Sequence, residues 1–244
     1  MSRIVLITGG GSGLGKAVAA RFGAAGASVI ITGRNAARLA ETAAELGAKS
    51  VACDAADPGQ VAGMAAEVGG ELDVLVNMAG GNTDFTRTAR GDGDAVDLAD
   101  IAAAWRANLD ANLLSAVLTT SAVLPRLRPG GSVINVGSIG AEHASTSYGA
   151  AKAALAAWTA GLSAEVGPRG LTANVISPGY TEQTGFFRGR LTEQRRAALI
   201  AATHDGQAGR PGDIAETAFF LASEGARHIT GQVIHVNGGA HTTR

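Results

Sequence analysis

Short apolar runs alternate with longer helical stretches from one end of the 244-residue chain to the other. The short runs are rich in β-branched residues, which is typical of strands covered on both faces of a parallel sheet. They predict strands at residues 3–8, 28–32, 49–52, 72–76, 133–136, 171–176 and 232–236. Helices are predicted near residues 16–22, 35–46, 101–127, 147–166 and 213–222, with a further one beginning at 57–58.

This alternation predicts an α/β protein with a three-layer, doubly wound Rossmann fold and a parallel sheet of about seven strands. With 46% apolar residues the chain can bury one substantial core, so residues 1–244 are expected to form a single domain. Right-handed crossovers bring the carboxyl ends of all strands to one edge. Thr8, Asn77, Ser138 and Pro178 each stand at or just after a strand end and should line one crevice.

A glycine-rich turn connects the first predicted strand to the first helix. Five of the seven residues 9–15 are glycine. Glycines let backbone N–H groups approach a pyrophosphate, and a helix N-terminus adds a positive end. A glycine turn in an ordinary loop is the alternative, which the position between strand and helix disfavours.

Tyr148 and Lys152 stand four residues apart in the predicted helix 147–166, so their side chains share one face. A nearby cation favours the phenolate and is expected to lower the tyrosine pKa from its usual value near ~10. The alternative for an isolated pair of this spacing is a surface tyrosine and a solvated lysine. The preceding glycine turn favours the catalytic interpretation.

Composition and charge limit the classes of partner, cellular compartment and metal site that are expected. A net charge of -1 gives no electrostatic reason to expect nucleic acid, and no apolar run approaches membrane length. Cys53 is the single cysteine, which excludes an internal disulfide and favours the cytoplasm; a buried, inert thiol is expected. The five histidines show no spacing typical of a metal site, so no metal is expected.

Six motifs in this order make the chain resemble the short-chain dehydrogenase/reductase family. The resemblance runs from residue 3 to about residue 239. It rests on Thr8-Gly9 with Gly13 and Gly15, Asn77-Met78-Ala79-Gly80, Asn112-Leu113, Ser138, Tyr148 with Lys152, and Ser177-Pro178-Gly179 followed by the closing 229–239. Met78 departs from the family pattern, which has a second asparagine there.

The resemblance implies four catalytic residues: Asn112, Ser138, Tyr148 and Lys152. Tyr148 would exchange the proton, and Lys152 would lower its pKa and bind the nicotinamide ribose. Ser138 would polarise the substrate carbonyl, and Asn112 would hold a water that relays protons to Lys152. As alternatives, Ser138 caps a strand end and Asn112 packs inside a helix.

The resemblance also implies a bound cofactor, NADP(H). Gly33 stands where NAD-preferring relatives carry an acidic residue, and Arg34 would bind a 2'-phosphate unless it merely solvates the loop. Asp54 would contact the adenine, or else cap its loop. The expected cofactor-binding set is Thr8, Gly9, Gly11, Ser12, Gly13, Leu14, Gly15, Gly33, Arg34, Asn35, Asp54, Ala55, Asn77, Ala79, Gly80, Tyr148, Lys152, Pro178, Gly179 and Thr181.

Two segments are expected to shape the substrate pocket. Residues 181–205 predict a lid in which Phe186, Phe187 and Leu191 offer apolar contacts, unless these side chains are ordinary core. The long stretch 81–104, rich in Gly and Asp at its start, predicts an exposed loop beside the crevice.

The predicted function is hydride transfer between NADP(H) and a ketone or secondary alcohol. An NADPH-dependent ketoreductase is favoured, acting on an apolar or aromatic polyketide. The alternatives are a dehydrogenase that oxidises a sugar, steroid or other secondary alcohol, and a catalytically silent dinucleotide-binding regulator. The alanine-rich helix 147–166 predicts a homo-oligomer, a tetramer first and a dimer second. The alternative is that this helix packs only on the sheet of its own chain.

Overall fold

The computed structural model describes residues 2–86 and 97–243. Its centre is a sheet of seven strands, all parallel, in the order β3-β2-β1-β4-β5-β6-β7. The strands are β1 (Ile4–Thr8), β2 (Ser28–Gly33), β3 (Lys49–Ala52), β4 (Leu72–Asn77), β5 (Leu127–Val136), β6 (Thr172–Pro178) and β7 (Val233–Val236). The strand order reverses between β1 and β4, which is the switch point of a doubly wound Rossmann fold.

Helices connect the strands and cover both faces of the sheet. They are α1 (Gly13–Ala24), α2 (Ala36–Leu46), α3 (Pro58–Val68), α4 (Leu98–Leu109), α5 (Ser115–Val123), α6 (Ser147–Val166), α7 (Glu193–Ala201) and α8 (Pro211–Leu221). One apolar core lies between the sheet and helices α1 and α8, around Phe22 and Ile214. The other lies between the opposite face and helices α3, α5 and α6, around Met64 and Leu162.

Side chains in short loops set where several helices begin. Asn35, Asp57 and Thr146 accept a hydrogen bond from a backbone N–H in the first turns of α2, α3 and α6. Helix α1 begins differently, because Ser12 makes no side-chain cap. Its first N–H groups are therefore not satisfied by that side chain.

The prediction of one long helix at 101–127 is wrong in detail. The observed helix begins earlier, at Leu98, and α4 gives way to a π-turn at Asp110–Leu114 before α5 ends at Val123. Strand β5 begins already at Leu127, because its first residues pair with the start of β4 across a shift in register. Helix α7 lies inside the predicted lid and was not predicted separately.

Three further sequence predictions concern Cys53, the loop at 81–104 and membrane-spanning segments. Cys53 is buried, as expected, and burial raises the pKa of its thiol. Residues 87–96 of the predicted loop 81–104 lie outside the described residues. Among the helices of the described ranges, none is both long and apolar enough to cross a membrane.

Candidate active site

Helix α6 carries the tyrosine and the lysine into the crevice at the carboxyl edge of the sheet. Thr146 accepts a hydrogen bond from the N–H of Gly149 and so begins the helix directly before Tyr148. The spacing of four residues places both side chains on the buried face, where Tyr148 is 8% and Lys152 5% exposed. The surface interpretation of this pair is excluded.

Ser138 lies close to Tyr148, and its side chain lowers the pKa of the tyrosine in part. Ser138 follows β5 directly, and its Oγ also accepts a hydrogen bond from the N–H of Gly140 at 3.0 Å. The serine is therefore a cap, as one alternative predicted, and also a partner of the tyrosine. Two hydroxyl groups that lie this close can both bind one substrate oxygen.

The acidity of Tyr148 differs from the sequence-based expectation. Burial raises the pKa of Tyr148 to about 12, and the hydrogen bond with Ser138 lowers it only in part. Burial also lowers the pKa of Lys152 to about 8. The ammonium lies 5.9 Å from the centre of the tyrosine ring and donates a 2.6 Å hydrogen bond to the carbonyl of Val136. Burial therefore sets the direction of the tyrosine pKa shift, and the expected lowering of this pKa by Lys152 is not seen.

Asn112 lies in the π-turn between α4 and α5, a distortion that is frequent at functional sites. Its Oδ1 accepts from the N–H of Gly81 at 2.9 Å, and its Nδ2 donates to the carbonyls of Gly81 and Asn108, each at 3.0 Å. These contacts occupy the amide group of Asn112, and the expected water relay stays a prediction. Asn112 instead fixes the backbone that follows β4.

A polar network that the sequence did not reveal connects this backbone to the start of α6. Asn108, which is fully buried, donates to Asp84 at 3.0 Å and to Ser147 at 2.8 Å. Ser147 also donates to Asp84 at 3.2 Å, one residue before the catalytic tyrosine. The one available signal was the spacing of four residues between Asn108 and Asn112.

The glycine turn has the shape of a dinucleotide cradle. Gly9 and Gly13 adopt positive φ angles of 68° and 51°. A Cβ on Gly15 would lie 2.2 Å from the carbonyl oxygen of Gly9, so the turn and α1 can approach only without a side chain. The start of α1, which no serine side chain caps, offers N–H groups to an anion. Gly11, Ser12 and Leu14 belong to the same turn.

Two residues of the predicted cofactor set turn their side chains into the protein instead. Thr8 accepts hydrogen bonds from the N–H groups of Met78 and Ala79 and so ties the end of β1 to the end of β4. Asn77 donates to Thr120 at 2.9 Å and to Asn135 at 2.8 Å. Their side chains support the cleft and do not face it. Gly80 packs closely against Asn112, where a Cβ would lie 2.6 Å from Oδ1.

Beyond the end of β2 the cleft is open and carries a cation. Gly33 is half-buried and Arg34 is exposed. Asn35 is the N-cap of α2, and its Oδ1 accepts from the N–H of Arg38. At the end of β3, Asp54 accepts from the N–H of Ala56 at 3.1 Å, which is the loop-capping alternative, and Ala55 beside it is buried.

The segment after β6 folds back across the glycine turn. Gly179 donates its N–H to the carbonyl of Val236 and follows Pro178 at the strand end. The buried Thr181 pairs with Gly209 in an isolated bridge. Thr184 lies 4.0 Å from the position of a Cβ on Gly13. The predicted lid therefore begins over the dinucleotide cradle.

Aromatic side chains of the lid form a cluster that contacts Tyr148. The ring of Phe186 lies 5.7 Å from that of Tyr148 and 5.6 Å from that of Phe85, and Phe187 contacts Phe85, Phe186 and Tyr180. Both phenylalanines are only half-buried, so the core alternative for them is wrong. They form an apolar wall beside the hydroxyl groups.

Residues 9–241 match the family model described as enoyl-(acyl carrier protein) reductase. The chain belongs to the short-chain dehydrogenase/reductase family. A Mycobacterium tuberculosis protein, named no more specifically than oxidoreductase, is 38% identical over 97% of both chains. The 3-oxoacyl-[acyl-carrier-protein] reductase FabG of Escherichia coli is 32% identical over 98% of this chain and 97% of its own.

Solved structures of family members share the whole fold. A blue fluorescent protein from a metagenomic library, solved in complex with NADPH, is 30% identical, covers 98% of both chains and gives a TM-score of 0.84. A short-chain dehydrogenase/reductase of Brucella melitensis, described as a glucose/ribitol dehydrogenase, is 29% identical and gives a TM-score of 0.86, covering 99% of this chain and 97% of its own.

Burial of the Lys152 ammonium predicts a characteristic dependence of stability on pH. Because the folded pKa is about 8 and the unfolded value 10.5, the folded chain releases this proton first, and the free energy of unfolding rises between these two pH values. We expect Lys152→Met to raise the free energy of unfolding at pH 7 and to lack this rise. Chemical denaturation across pH 7–10.5 measures both.

The exposed lysine Lys49 provides the control. Lys49→Met should leave the pH dependence of stability as it is in the unaltered chain. Equal pH profiles for Lys152→Met and the unaltered chain would contradict the buried, destabilised ammonium.

Proposed function

We propose that the chain is an NADP(H)-dependent ketoreductase that reduces a ketone to a secondary alcohol. The observation that carries this proposal is the burial of Tyr148 and Lys152 on one face of α6, with the half-buried Ser138 close enough to the tyrosine to affect its pKa. Two hydroxyl donors at one point suit a carbonyl oxygen that becomes an alkoxide. The named activity of FabG of Escherichia coli, a 3-oxoacyl reductase, supports the same direction.

The cofactor assignment rests on the fit of the residues present. The glycines of the turn and the start of α1 would hold the pyrophosphate, and Arg34 would hold the 2'-phosphate with charge-assisted hydrogen bonds. No carboxylate stands at Gly33 or Arg34 to repel that phosphate. The related metagenomic protein was solved with NADPH. When bound, the cofactor supplies the hydride.

The residues of the chain supply the proton and the orientation. Ser138 and Tyr148 bind the carbonyl oxygen, and Tyr148 gives its proton to that oxygen as negative charge develops there. Lys152 then stabilises the phenolate, because an ammonium near the ring favours the ionised form. Asn112 holds Gly81, and the network of Asp84, Asn108 and Ser147 holds the start of α6.

The apolar wall supports a substrate with an apolar or aromatic body, such as a polyketide. Phe85, Phe186 and Phe187 meet beside Tyr148.

Oxidation of a sugar alcohol is a second candidate function, favoured by the likeness to the Brucella melitensis glucose/ribitol dehydrogenase. A silent regulator is disfavoured because the catalytic tyrosine and lysine are both buried together in the cleft. Cytoplasmic location stays a prediction from sequence.

We expect Tyr148→Phe to lower kcat by about 10²-fold or more, because a general acid contributes about 10²–10⁴ in rate. The measurement is NADPH oxidation with a panel of aromatic and aliphatic ketones, beside binding of NADPH followed by fluorescence. Tyr180→Phe is the matched control, since Tyr180 is the only other tyrosine of the sequence. This variant should keep the activity of the unaltered chain. Near-normal turnover of Tyr148→Phe would refute the assignment. Faster oxidation of sugar alcohols than reduction of ketones would favour the second candidate.

Arg34→Ala should raise the KM for NADPH by about 10–100-fold, since a hydrogen bond to a charged group contributes about 1.5–3 kcal/mol. The KM for NADH should stay unchanged, because NADH has no 2'-phosphate. Steady-state kinetics with both cofactors measure this, with Arg227→Ala, on an exposed arginine, as control. A preference of the unaltered chain for NADH would remove the claim.

A homo-oligomer is proposed from an exposed apolar stripe on α4. Leu98, Ile101 and Trp105 follow helical spacing and are 75%, 39% and 44% exposed. Trp105→Glu should place a charge in the interface and produce monomers, whereas Arg227→Glu should not. Light scattering measures the mass, a tetramer being expected and a dimer second. A monomeric unaltered chain would rule the interface out.

A further inference from the structure

Three side chains outside the catalytic group converge at the end of β7. Glu142 lies in the loop between Ser138 and Tyr148, His235 is in β7, and His241 follows a turn after that strand. One possible ligand atom of each lies within 4.8 Å of those of the other two. The histidine spacing alone predicted no metal site, because the third member is far away in sequence.

The carboxylate of Glu142 stands between the two imidazoles. Its Oε1 is 3.8 Å from Nε2 of His235, and its Oε2 is 3.5 Å from Nε2 of His241. The two rings are 5.0 Å apart and tilted by 52°. Tetrahedral zinc with bonds of about 2.0–2.1 Å requires ligand atoms about 3.3 Å apart, so small side-chain rotations bring the three atoms into coordination.

The backbone holds the two histidines in place. Ile234 and Val236 pack into the core shared with α1 and α8, so His235 between them points to the opposite face of the sheet. Asn237 donates to the carbonyl of His241 at 3.0 Å and accepts from the N–H of Gly239, which shapes the turn that returns His241 to His235.

The side chain of His235 is only 13% exposed, and one of its two ring nitrogens lacks a hydrogen bond within the part of the chain that the structure describes. Its Nδ1 is buried and has no hydrogen-bond partner among the described residues. A buried polar atom without a partner costs free energy, so the fold keeps a polar ring here at a cost to stability.

We infer that Glu142, His235 and His241 form a binding site for a divalent transition-metal ion of the zinc class. Two imidazoles and one carboxylate are ligands that zinc takes in proteins, with water in the fourth position. Imidazole ligands disfavour Mg²⁺ and Ca²⁺, which take oxygen ligands. The bound ion connects the loop that follows Ser138 to β7 and the segment after it, and so fixes one wall of the substrate pocket.

Binding of Zn²⁺ to the untagged 244-residue chain tests this inference without any enzyme assay. After dialysis against Zn²⁺, elemental analysis should find one ion per chain, and Zn²⁺ should raise the melting temperature while Mg²⁺ does not. Glu142→Gln and His241→Gln should each weaken Zn²⁺ binding by at least about tenfold. His228→Gln, on an exposed histidine, is the matched control and should bind like the unaltered chain.

Several outcomes would overturn the site. Absence of bound Zn²⁺ in the unaltered chain would do so, as would equal binding by His241→Gln and the unaltered chain. A third contradicting outcome is that Zn²⁺ changes the melting temperature of neither the unaltered chain nor His241→Gln, while this substitution changes stability at low pH. The three side chains would then act only as an ion pair. Circular dichroism of each variant shows that a loss of binding does not come from unfolding.

Discussion

The parallel alignment of seven strands is the constraint on which the rest of this protein depends. It brings the carboxyl ends of all strands to one edge, so residues from distant parts of the chain meet there. The glycine turn after β1, Ser138 after β5 and the lid after β6 form one crevice for this reason. Buried polar contacts such as Asn77 with Asn135 then lock neighbouring strands at the same edge.

Burial of Tyr148 and Lys152 side by side in the crevice has a cost in stability. A buried ammonium and a buried phenol both lose hydration, and this loss shifts their pKa values in the directions that disfavour charge. The carbonyl of Val136 and the hydroxyl of Ser138 compensate in part. Such a site is poised for a ligand, because a bound substrate oxygen and a cofactor replace interactions that water no longer supplies.

Polar side chains around the crevice divide into two tasks. Ser138, Tyr148 and Lys152 are the residues that we propose to act on the substrate. Thr8 and Asn112, which family resemblance also associates with the site, hold backbone segments in place. The network around Asn108 does the same for the start of the catalytic helix. The inferred metal site would extend this support to the opposite wall of the pocket, where the loop after β5 meets β7.

Local patterns in the sequence were enough to predict the fold and the placing of Tyr148 and Lys152 on one face of a helix. Apolar β-branched runs, the glycine turn and the spacing of Tyr148 and Lys152 depend on neighbours along the chain, so the α/β class and the bounds of α6 were predictable. The π-turn at Asp110–Leu114 and the early start of β5 were not, because pairing and packing with distant residues decide them.

Tertiary structure alone decided what the polar side chains contact. The direction of the Tyr148 pKa shift depends on how completely the fold removes water, which no local pattern records. The meeting of Glu142 with His235 and His241 depends on β7 lying beside β6. Sequence determines local geometry through short-range sterics and periodicity, whereas burial and convergence arise only when the whole sheet has formed.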